Sequence, residues 1–424
     1  MNFARINHIL IPTQKTDRDR FRRSRSGQFL MRTFSWLLLF SDEGRWAFLL
    51  WLIAGAASLN MGSTQFYYLF SGLSGLLAAS LLLARRFTLT DVTIEINAPP
   101  RIAVGSEVTF GIRLNNPGQA DYQSIRIHTP FLPWDGHWTA PPKGIVHLRA
   151  GKTAHCVATA AFSARGPHHL DMFHATRLLP LGLAGGPAIH SRGIRFLVVP
   201  RIASVNSIEM PLGVRYQPGG VLLASNTGES REMIGLRPYR IGDPIRDLHY
   251  PSWARLGEPV VREYRQEYFT RVGIVVDTDK SVATAARFEA SLSLAAGLIS
   301  HLSRGEALVD LVVLGDRVHQ LMVGRNLGFL DQALDLLACA KTAPSWSLAN
   351  LQKGTLPHLK QLSALFFITL TWDEKRRRLA KWVSTFQVGF RAFEITQNKK
   401  ETPENPFHKC VEEAEIYREE GVHL

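Results

Sequence analysis

The sequence has few cysteines, and the three it has, Cys156, Cys339 and Cys410, lie far apart. An odd, widely spaced set excludes the dense disulfide framework of a small secreted protein. The closely spaced cysteine pairs that mark zinc or redox motifs are missing too. The cysteine pattern therefore favours a chain that works in a reducing compartment.

A recognisable catalytic pattern is also missing. His249 and Ser252 lie close together in the sequence, but the Gly-x-Ser-x-Gly context that presents a nucleophilic serine is absent around them. No other nucleophile stands beside a base in a defined motif. We therefore expect a protein that is not an enzyme.

The positive charge of the chain lacks the arrangement of a nucleic-acid binder. Residues 1–32 hold eight basic and two acidic side chains, so 8 − 2 gives +6 of the net charge of +13. A nucleic-acid-reading arm would carry interleaved aromatic residues or adjoin a recognition helix, and neither is evident. The sequence predicts a basic cytoplasmic arm over residues 1–45, placed against an anionic surface, and no nucleic-acid partner.

Long uncharged stretches follow this arm at residues 46–62 and 66–84. A bilayer crossing needs about 20 apolar residues, and each stretch is at the short end of that range. Gly72 and Gly75 suit close helix packing in lipid. The pattern predicts a two-helix transmembrane hairpin over residues 46–86, while the alternative is one long buried helix of a soluble domain.

The basic flanks of these stretches predict an orientation. Basic residues precede the first stretch, and Arg85 and Arg86 close the second. Short loops rich in lysine and arginine stay in the cytoplasm. We therefore expect a multi-pass protein of the bacterial inner membrane, in contact with membrane lipid, whose remaining domains face the cytoplasm.

Residues 87–200 read as a β-rich domain. Segments at 91–96, 107–114 and 124–131 cluster β-branched and apolar residues, and turn formers separate them. About seven such short strands with no helix pattern between them are typical of a β-sandwich of immunoglobulin type.

Residues 201–270 form a connector with a charged segment, and residues 271–424 alternate strand and helix patterns. The run at 271–277 is continuously apolar, as expected of a buried parallel strand, and 283–304 has helical spacing. This order predicts a doubly wound α/β domain whose last strand is at 390–396. Ligands of such sheets lie at the carboxyl ends of the strands, where Asp277 is expected.

Three polar residues, Asp277, Asp279 and Ser281, alternate in the loop after that strand. Carboxylate and hydroxyl oxygens bind hard cations, so the loop is a candidate site for Mg²⁺ or Ca²⁺. The alternative is that these side chains cap the helix expected to start near Ala283.

The charged segment at 229–267 balances its charges closely. Seven acidic and seven arginine side chains within 39 residues predict a network of bidentate ion pairs. The alternative is a solvated, charge-rich loop packed on the sheet.

The string LRPYRIGDPIRDLHYPSWARLGEPVVREYRQE at 236–267 resembles the signature of the bacterial family catalogued as domain of unknown function 58. In that family tryptophan is usual at the place of Tyr250. The DTDKS loop is similar to the Asp-x-Ser-x-Ser metal loop of the von Willebrand A fold, with Asp279 at a serine position. The residues that match the family signature are Arg237, Tyr239, Gly242, Asp243, Arg246, Ala254, Arg255, Arg262, Glu263, Glu267 and Asp277.

The resemblance implies an architecture and a function. It implies two membrane spans, a β-sandwich and a von Willebrand A-like domain. Family members are associated with MoxR-type AAA+ ATPases and other von Willebrand A proteins, which implies a membrane-anchored adaptor or assembly factor that binds a protein partner. A divalent-metal-dependent binding protein or hydrolase centred on Asp277, Asp279 and Ser281 is the main alternative, and an envelope-stress or peptidoglycan-related scaffold is a third.

Overall fold

The chain divides into two compact units, residues 1–199 and 200–424, in a computed structural model. Each unit is considered by itself. The described residues are 20, 23–25, 28, 40–59, 64–132, 135–179, 181–211, 233–264, 271–304, 307–314, 318–321, 328–343, 359, 362–397, 407–418 and 420–424.

Two packed helices precede the sheets of the first unit. They are α1, Asp42–Ser58, and α2, Thr64–Ala84. The indole nitrogen of Trp51 on α1 donates a hydrogen bond to Ser74 Oγ on α2 at 2.7 Å, and its ring stacks on Phe70 with centroids 5.3 Å apart. The helices therefore contact each other along an aromatic seam.

One helix among the described residues, α2, is long and apolar enough to cross a membrane, and its mean hydropathy is 1.7. Its 21 residues extend about 31 Å, matching a hydrocarbon core of roughly 30 Å. The 17 residues of α1 extend only about 26 Å. Its first turn carries Asp42, Glu43 and Arg45, and the Glu43 carboxylate accepts two hydrogen bonds of 2.7 Å from Arg126. The predicted multi-pass arrangement is therefore not supported.

The rest of the first unit is built from short strands. Four of them form an antiparallel sheet in the order β1-β3-β7-β5, four form a second antiparallel sheet in the order β10-β9-β4-β6, and three form the sheet β2-β11-β8. The strands are β1 Thr93–Asn97, β2 Arg101–Ala103, β3 Glu107–Asn115, β4 Tyr122–His128, β5 Gly136–Ala140, β6 Ile145–Leu148, β7 Thr153–Phe162, β8 Gly166–Leu170, β9 His174–Arg177, β10 Ile189–His190 and β11 Ile194–Val199.

These sheets share one apolar core because buried and exposed side chains alternate along their strands. On β3, Val108, Phe110, Ile112 and Leu114 are buried and the residues between them are more exposed, which is the period-two pattern that the sequence shows. Aromatic rings fill the centre, with Phe110 and Phe196 edge to face at 5.9 Å.

The second unit contains a six-stranded sheet in the order β17-β16-β15-β18-β19-β20. Strands β16, β15, β18, β19 and β20 run parallel to one another, and the edge strand β17 is antiparallel to β16. Two smaller pairs, β12-β21 and β13-β14, complete the strands. The strands of this unit are β12 Val205–Ser207, β13 Met233–Pro238, β14 Val260–Tyr264, β15 Arg271–Asp277, β16 Leu308–Leu314, β17 Val318–Leu321, β18 Ala364–Thr369, β19 Gly389–Thr396, β20 His408–Glu412 and β21 Val422–His423.

The long helices of this unit bury their apolar faces against the sheet. On the first of the long helices, Phe288, Leu292, Ala295, Ile299 and Leu302 are buried, as their helical spacing predicts. The helices of the second unit are α3 Tyr250–Leu256, α4 Ala285–Arg304, α5 Gly328–Cys339, α6 Glu374–Ser384 and α7 Glu413–Ile416.

The strand at β19 was expected to be the last, and that expectation is wrong. β20 and β21 follow it, and β20 pairs with β19 in parallel. The sequence of β20, His-Lys-Cys-Val-Glu, has a single large aliphatic residue, so it lacks the apolar run that marks the buried strands β15 and β18.

Candidate functional site

Polar side chains lie next to one another at the edge of the six-stranded sheet where the parallel strands end, which we call the carboxyl edge. The parallel register pairs Thr369 on β18 with Glu394 on β19, and Glu394 with Cys410 on β20. Asp277 ends β15, and Thr369 Oγ1 lies 2.9 Å from Asp277 Oδ2. Strand order changes direction between β15 and β18, which is the place where open α/β sheets bind ligands.

Arg376 on α6 inserts its side chain among these polar side chains and is 1% exposed. Its Nη2 lies 2.6 Å from Asp277 Oδ2 and 3.3 Å from Asp279 Oδ2. Its Nη1 donates to Asp373 Oδ2 at 2.6 Å, and its Nε lies 2.9 Å from Thr369 Oγ1. One guanidinium group therefore links three carboxylates and a hydroxyl.

The loop that holds the two aspartates is closed by its own hydrogen bonds. Asp277 accepts from the Asp279 amide at 3.0 Å, and Asp279 accepts from the amide and the hydroxyl of Ser281 at 3.0 and 2.7 Å. Helix α4 begins later, at Ala285, where Thr284 Oγ1 accepts from the Arg287 amide. The alternative prediction, that the aspartates cap this helix, does not describe these contacts.

Electrostatics keep this cluster charged. Burial opposes the ionisation of Asp279, but hydrogen bonds from Ser281 and the charges of Arg376 and Lys375 outweigh it and hold its pKa below the usual value. Burial likewise opposes the charge of Arg376, and the carboxylates of Asp277 and Asp373 outweigh that effect and raise its pKa. The Asp279 carboxylate and the Arg376 guanidinium group therefore both favour their charged forms.

The residues present do not fit a divalent cation in this cluster. A cation bound by Asp277, Asp279 and Ser281 would need the carboxylate oxygens that Arg376 already contacts. A guanidinium and a metal ion at the same oxygens would repel each other. Arg376 therefore supplies from the protein the positive charge that Mg²⁺ or Ca²⁺ was expected to supply.

The signature segment forms a hairpin with a rigid turn. Asp243 accepts two hydrogen bonds from the Arg237 guanidinium, at 2.6 and 2.8 Å, and one from the Arg240 amide at 2.8 Å. Gly242 takes a φ of 106°, a region that side chains with a Cβ rarely adopt. The Arg237 hydrogen bonds lower the pKa of Asp243 to about 2, so this carboxylate keeps its charge in moderately acidic solution as well as at neutral pH.

The other signature residues surround this turn. Tyr239 donates its amide to Pro259 O at 2.9 Å, and Arg262 on β14 pairs in register with Leu236 on β13. Arg262 Nε is buried and has no hydrogen-bond partner among the described residues. Arg246 and Arg255 are exposed.

The ion pairs of the described part of the segment differ in their geometry. The Arg237–Asp243 pair is bidentate, whereas Arg246 and Asp247 lie 3.9 Å apart and Arg246 is 74% exposed. Glu263 lies on β14 opposite Gly235. Glu267 lies outside the described residues.

A short helix follows the turn and exposes aromatic rings. Tyr250 and Trp253 on α3 stack with centroids 6.2 Å apart, and both are exposed. His249 Nδ1 lies 2.7 Å from Ser252 Oγ. Within the described residues no carboxylate is hydrogen-bonded to this histidine, so the third group of a catalytic triad is not assembled there.

Arg376 is the site residue that the sequence reasoning missed. It is the first of three consecutive arginines, and only its helical spacing separates it from the other two. Leu379 and Val383, three and seven residues later, are buried on the same face of α6 as Arg376. That spacing was the available signal. Lys375, whose Nζ lies 4.0 Å from Asp279 Oδ2, was also missed.

Comparisons with known proteins give no assignment. No family model and no curated protein matches the chain. The manganese-loaded TRAP protein of Plasmodium vivax is 14% identical over 35% of this chain and 70% of its own, with a TM-score of 0.28. AvmM, which catalyses macrocyclization in alchivemycin A biosynthesis, is 12% identical over 26% of this chain and 89% of its own, with a TM-score of 0.20. The SrpA adhesin of Streptococcus sanguinis is 13% identical over 29% and 70%, with a TM-score of 0.18. Scores this low carry no argument about fold or function.

Proposed function

We propose that the chain is a membrane-anchored, non-enzymatic adaptor that binds a protein partner through its signature segment. The observation that carries the proposal is the position of Ile241. This side chain is 102% exposed at the tip of the turn that the Arg237–Asp243 pair closes. Ile241 is one of six large apolar residues that are exposed within positions 236–256, and such a concentration, unlike a single exposed apolar residue, indicates a surface that a partner covers.

Further exposed side chains extend this surface, which we call the signature surface. Aromatic residues and arginines supply most of the binding energy in protein interfaces, and both kinds are present. The arginines favour an acidic partner surface. The signature surface consists of the exposed apolar residues Leu236, Ile241, Ile245, Tyr250, Trp253 and Leu256 with the exposed arginines Arg240, Arg246 and Arg255.

The partner proposed is a MoxR-type AAA+ ATPase, with other von Willebrand A proteins as further candidates. This choice rests on the resemblance of the signature to the family catalogued as domain of unknown function 58. It is consistent with a turn that three hydrogen bonds to Asp243 hold closed, because a pre-organised surface lowers the entropic cost of binding.

The finer architecture belongs to the same proposal. A von Willebrand A-like fold for the second unit is supported by a sheet whose first strand, β15, lies centrally, by an antiparallel edge strand β17, and by Asp277 at the end of β15. An immunoglobulin-like sandwich for the first unit is supported by antiparallel sheets around one core. With Arg376 in the metal position, no observation favours the metal-dependent alternative.

Anchoring in the bacterial inner membrane is proposed through α2, with α1 packed against it. Trp46, Leu50 and Ile53 on α1 and Tyr68 and Leu82 on α2 are exposed apolar side chains, which suit a lipid environment. The cytoplasmic placement of the other domains rests on the basic residues near the helices.

The proposed function is tested by binding between the full chain in detergent and a purified MoxR-type ATPase from the same bacterium. Ile241→Asp should weaken binding at least 10-fold, because a charge replaces the apolar anchor. The pair Asp243→Ala with Arg246→Ala should abolish capture, because it opens the turn. Val146→Asp, at another highly exposed aliphatic position, on β6, is the control. Unchanged affinity in both signature variants would overturn the proposal.

A further inference from the structure

A second cluster of chemically active side chains lies on the last two strands of the six-stranded sheet. His408 and Cys410 are two residues apart on β20, so both face the same side of the sheet. Glu394 on β19 is the register partner of Cys410, and it therefore faces that side too. The topology alone thus places an imidazole, a thiol and a carboxylate together.

The distances between their polar atoms are those of a ligand set. His408 Nε2 lies 2.9 Å from Glu394 Oε2, and Cys410 Sγ lies 3.8 Å from the same oxygen. The three candidate ligand atoms all lie within 4.8 Å of one another. Ligands around a tetrahedral Zn²⁺ are roughly 3.3–3.7 Å apart, given metal–ligand bonds of about 2.0–2.3 Å. Shifts of up to about 1 Å would bring all three to the ligand–ligand distances of a tetrahedral zinc site.

The surroundings hold the ligands in place and limit water. Glu394 and His408 are 9% and 8% exposed. The Trp372 ring stacks on the His408 imidazole, with centroids 4.8 Å apart and planes at 9°. Such packing orients an imidazole ligand and lowers the local dielectric constant, and both effects strengthen metal binding.

An independent observation points to a missing ligand at this place. Thr396 is 5% exposed, and its Oγ1 is buried without a hydrogen-bond partner among the described residues. It lies on β19 two residues after Glu394 and on the same face. A buried hydroxyl without a partner is costly, and a ligand or water molecule bound on this face of the sheet would satisfy it.

We propose that Glu394, His408 and Cys410 bind a transition-metal cation of the Zn²⁺ class. Thiolate and imidazole ligands select Zn²⁺ over Mg²⁺ and Ca²⁺, which prefer oxygen. Three protein ligands leave a fourth position for water. The cation would replace the proton shared by Glu394 and His408 and the thiol proton of Cys410, and it would tie β20 to β19 at the edge of the sheet.

This site differs from the Asp277 loop in position and chemistry. The aspartates there are oxygen ligands already engaged by Arg376, whereas Cys410 and His408 supply sulfur and nitrogen. The inference does not depend on the proposed partner, so each can fail without the other.

Cobalt titration of the full chain tests the site. After treatment with a chelator, the protein in detergent should bind one equivalent of Co²⁺, with a thiolate-to-cobalt charge-transfer band in the near ultraviolet, and Zn²⁺ should displace it. Cys410→Ser should abolish the band and weaken binding at least 10-fold. Cys156→Ser and Cys339→Ser are the matched controls, and both should keep the band.

Cys410→His is the second variant, because it retains a metal ligand if the serine variant fails to fold. It should bind one equivalent of Co²⁺ without the thiolate band. The proposal is overturned if the wild-type chain binds no Co²⁺ saturably, if the band survives in a Cys410 variant, or if the control cysteines abolish it.

Discussion

The Nη2 atom of Arg376 lies 2.6 Å from Oδ2 of Asp277, and both side chains are almost wholly buried, at 1% and 0% exposure. A charge in such a place is stable only with its counter-charge and hydrogen bonds. The relationship gives the carboxyl edge of the sheet a permanent internal cation. The loop that the sequence marks as a candidate metal site is therefore part of a buried ion-pair cluster.

Removal of this guanidinium should be strongly destabilising. In Arg376→Met, Asp277 and Asp279 remain buried without their counter-charge, which costs about 3–5 kcal/mol of the free energy of unfolding. Urea unfolding followed by tryptophan fluorescence measures the loss. Arg378→Ala is the control on the same helix, where the side chain is 70% exposed, and it should change stability by less than about 0.5 kcal/mol. Equal stability of the two variants would contradict the role given to Arg376.

A divalent cation should replace the missing guanidinium. Arg376→Ala leaves the oxygen atoms of Asp277, Asp279 and Asp373 without their shared cation, and carboxylates of this kind bind Mg²⁺. Millimolar Mg²⁺ should therefore raise the melting temperature of Arg376→Ala and leave that of the wild-type chain unchanged. Calorimetry should likewise detect Mg²⁺ binding only in the variant. A wild-type response equal to that of the variant would show that the guanidinium does not occupy the cation's place.

The pair formed by His168 and Asp135 in the first unit predicts a pH dependence. His168 Nε2 lies 2.7 Å from Asp135 Oδ2. Burial opposes the imidazolium, but the Asp135 hydrogen bond and the Gly166 carbonyl outweigh it and raise the pKa of His168 above 6.5. A raised histidine pKa stabilises the fold fully below 6.5, and this contribution is lost as pH rises through the folded-state pKa.

Asp135→Asn should thus lower the melting temperature most below pH 6.5, because the amide cannot balance the imidazolium. The difference from the wild-type chain should shrink at higher pH, as measured by thermal melts across the pH range. Val146→Ala, which changes no titratable group at an exposed position of the same unit, should give a difference that does not vary with pH in this way. If the difference in melting temperature between Asp135→Asn and the wild-type chain grows as the pH rises, the proposed direction of the His168 pKa shift is contradicted.

Charges on the exposed face of α2 should weaken the membrane anchor. Leu69 and Leu76 are exposed on this helix, and an arginine at the centre of a membrane-spanning helix costs about 2.5–3.5 kcal/mol. The double variant Leu69→Arg with Leu76→Arg should move the chain from the membrane pellet to the supernatant after alkaline extraction. Val146→Arg should stay with the membrane, and release of the wild-type chain under the same conditions would contradict the anchor.

Periodicity in the sequence is sufficient to locate the main elements of the second unit. The apolar run that ends at Asp277 is a buried strand, and the spacing of Phe288 and Leu292 is that of a helix packed on it. These patterns are local, because the backbone repeat of one element determines which residues face the core. A membrane crossing over residues 46–62 was predicted from composition alone, and it is not supported, because α1 begins with charged residues and is too short to meet the length and hydropathy of a membrane-spanning helix.

The two clusters at the sheet edge could not be predicted in the same way, because each depends on contacts between distant segments. Arg376 meets Asp277 only when α6 packs across the sheet, 99 residues further along the chain. Glu394 meets Cys410 through the register of β19 with β20, which no local pattern specifies. The His-x-Cys spacing of β20 was visible in the sequence, but its third ligand was not.

The most direct test of the adaptor function is site-specific photo-crosslinking from position 241 in native bacterial membranes. A photoreactive amino acid in place of Ile241 should crosslink the MoxR-type ATPase, and the same amino acid in place of the exposed Val146 should not. Opening the turn with Asp243→Ala should remove the crosslink. If position 241 yields no crosslink to the ATPase, or no more than position 146, the signature surface is not where this partner binds.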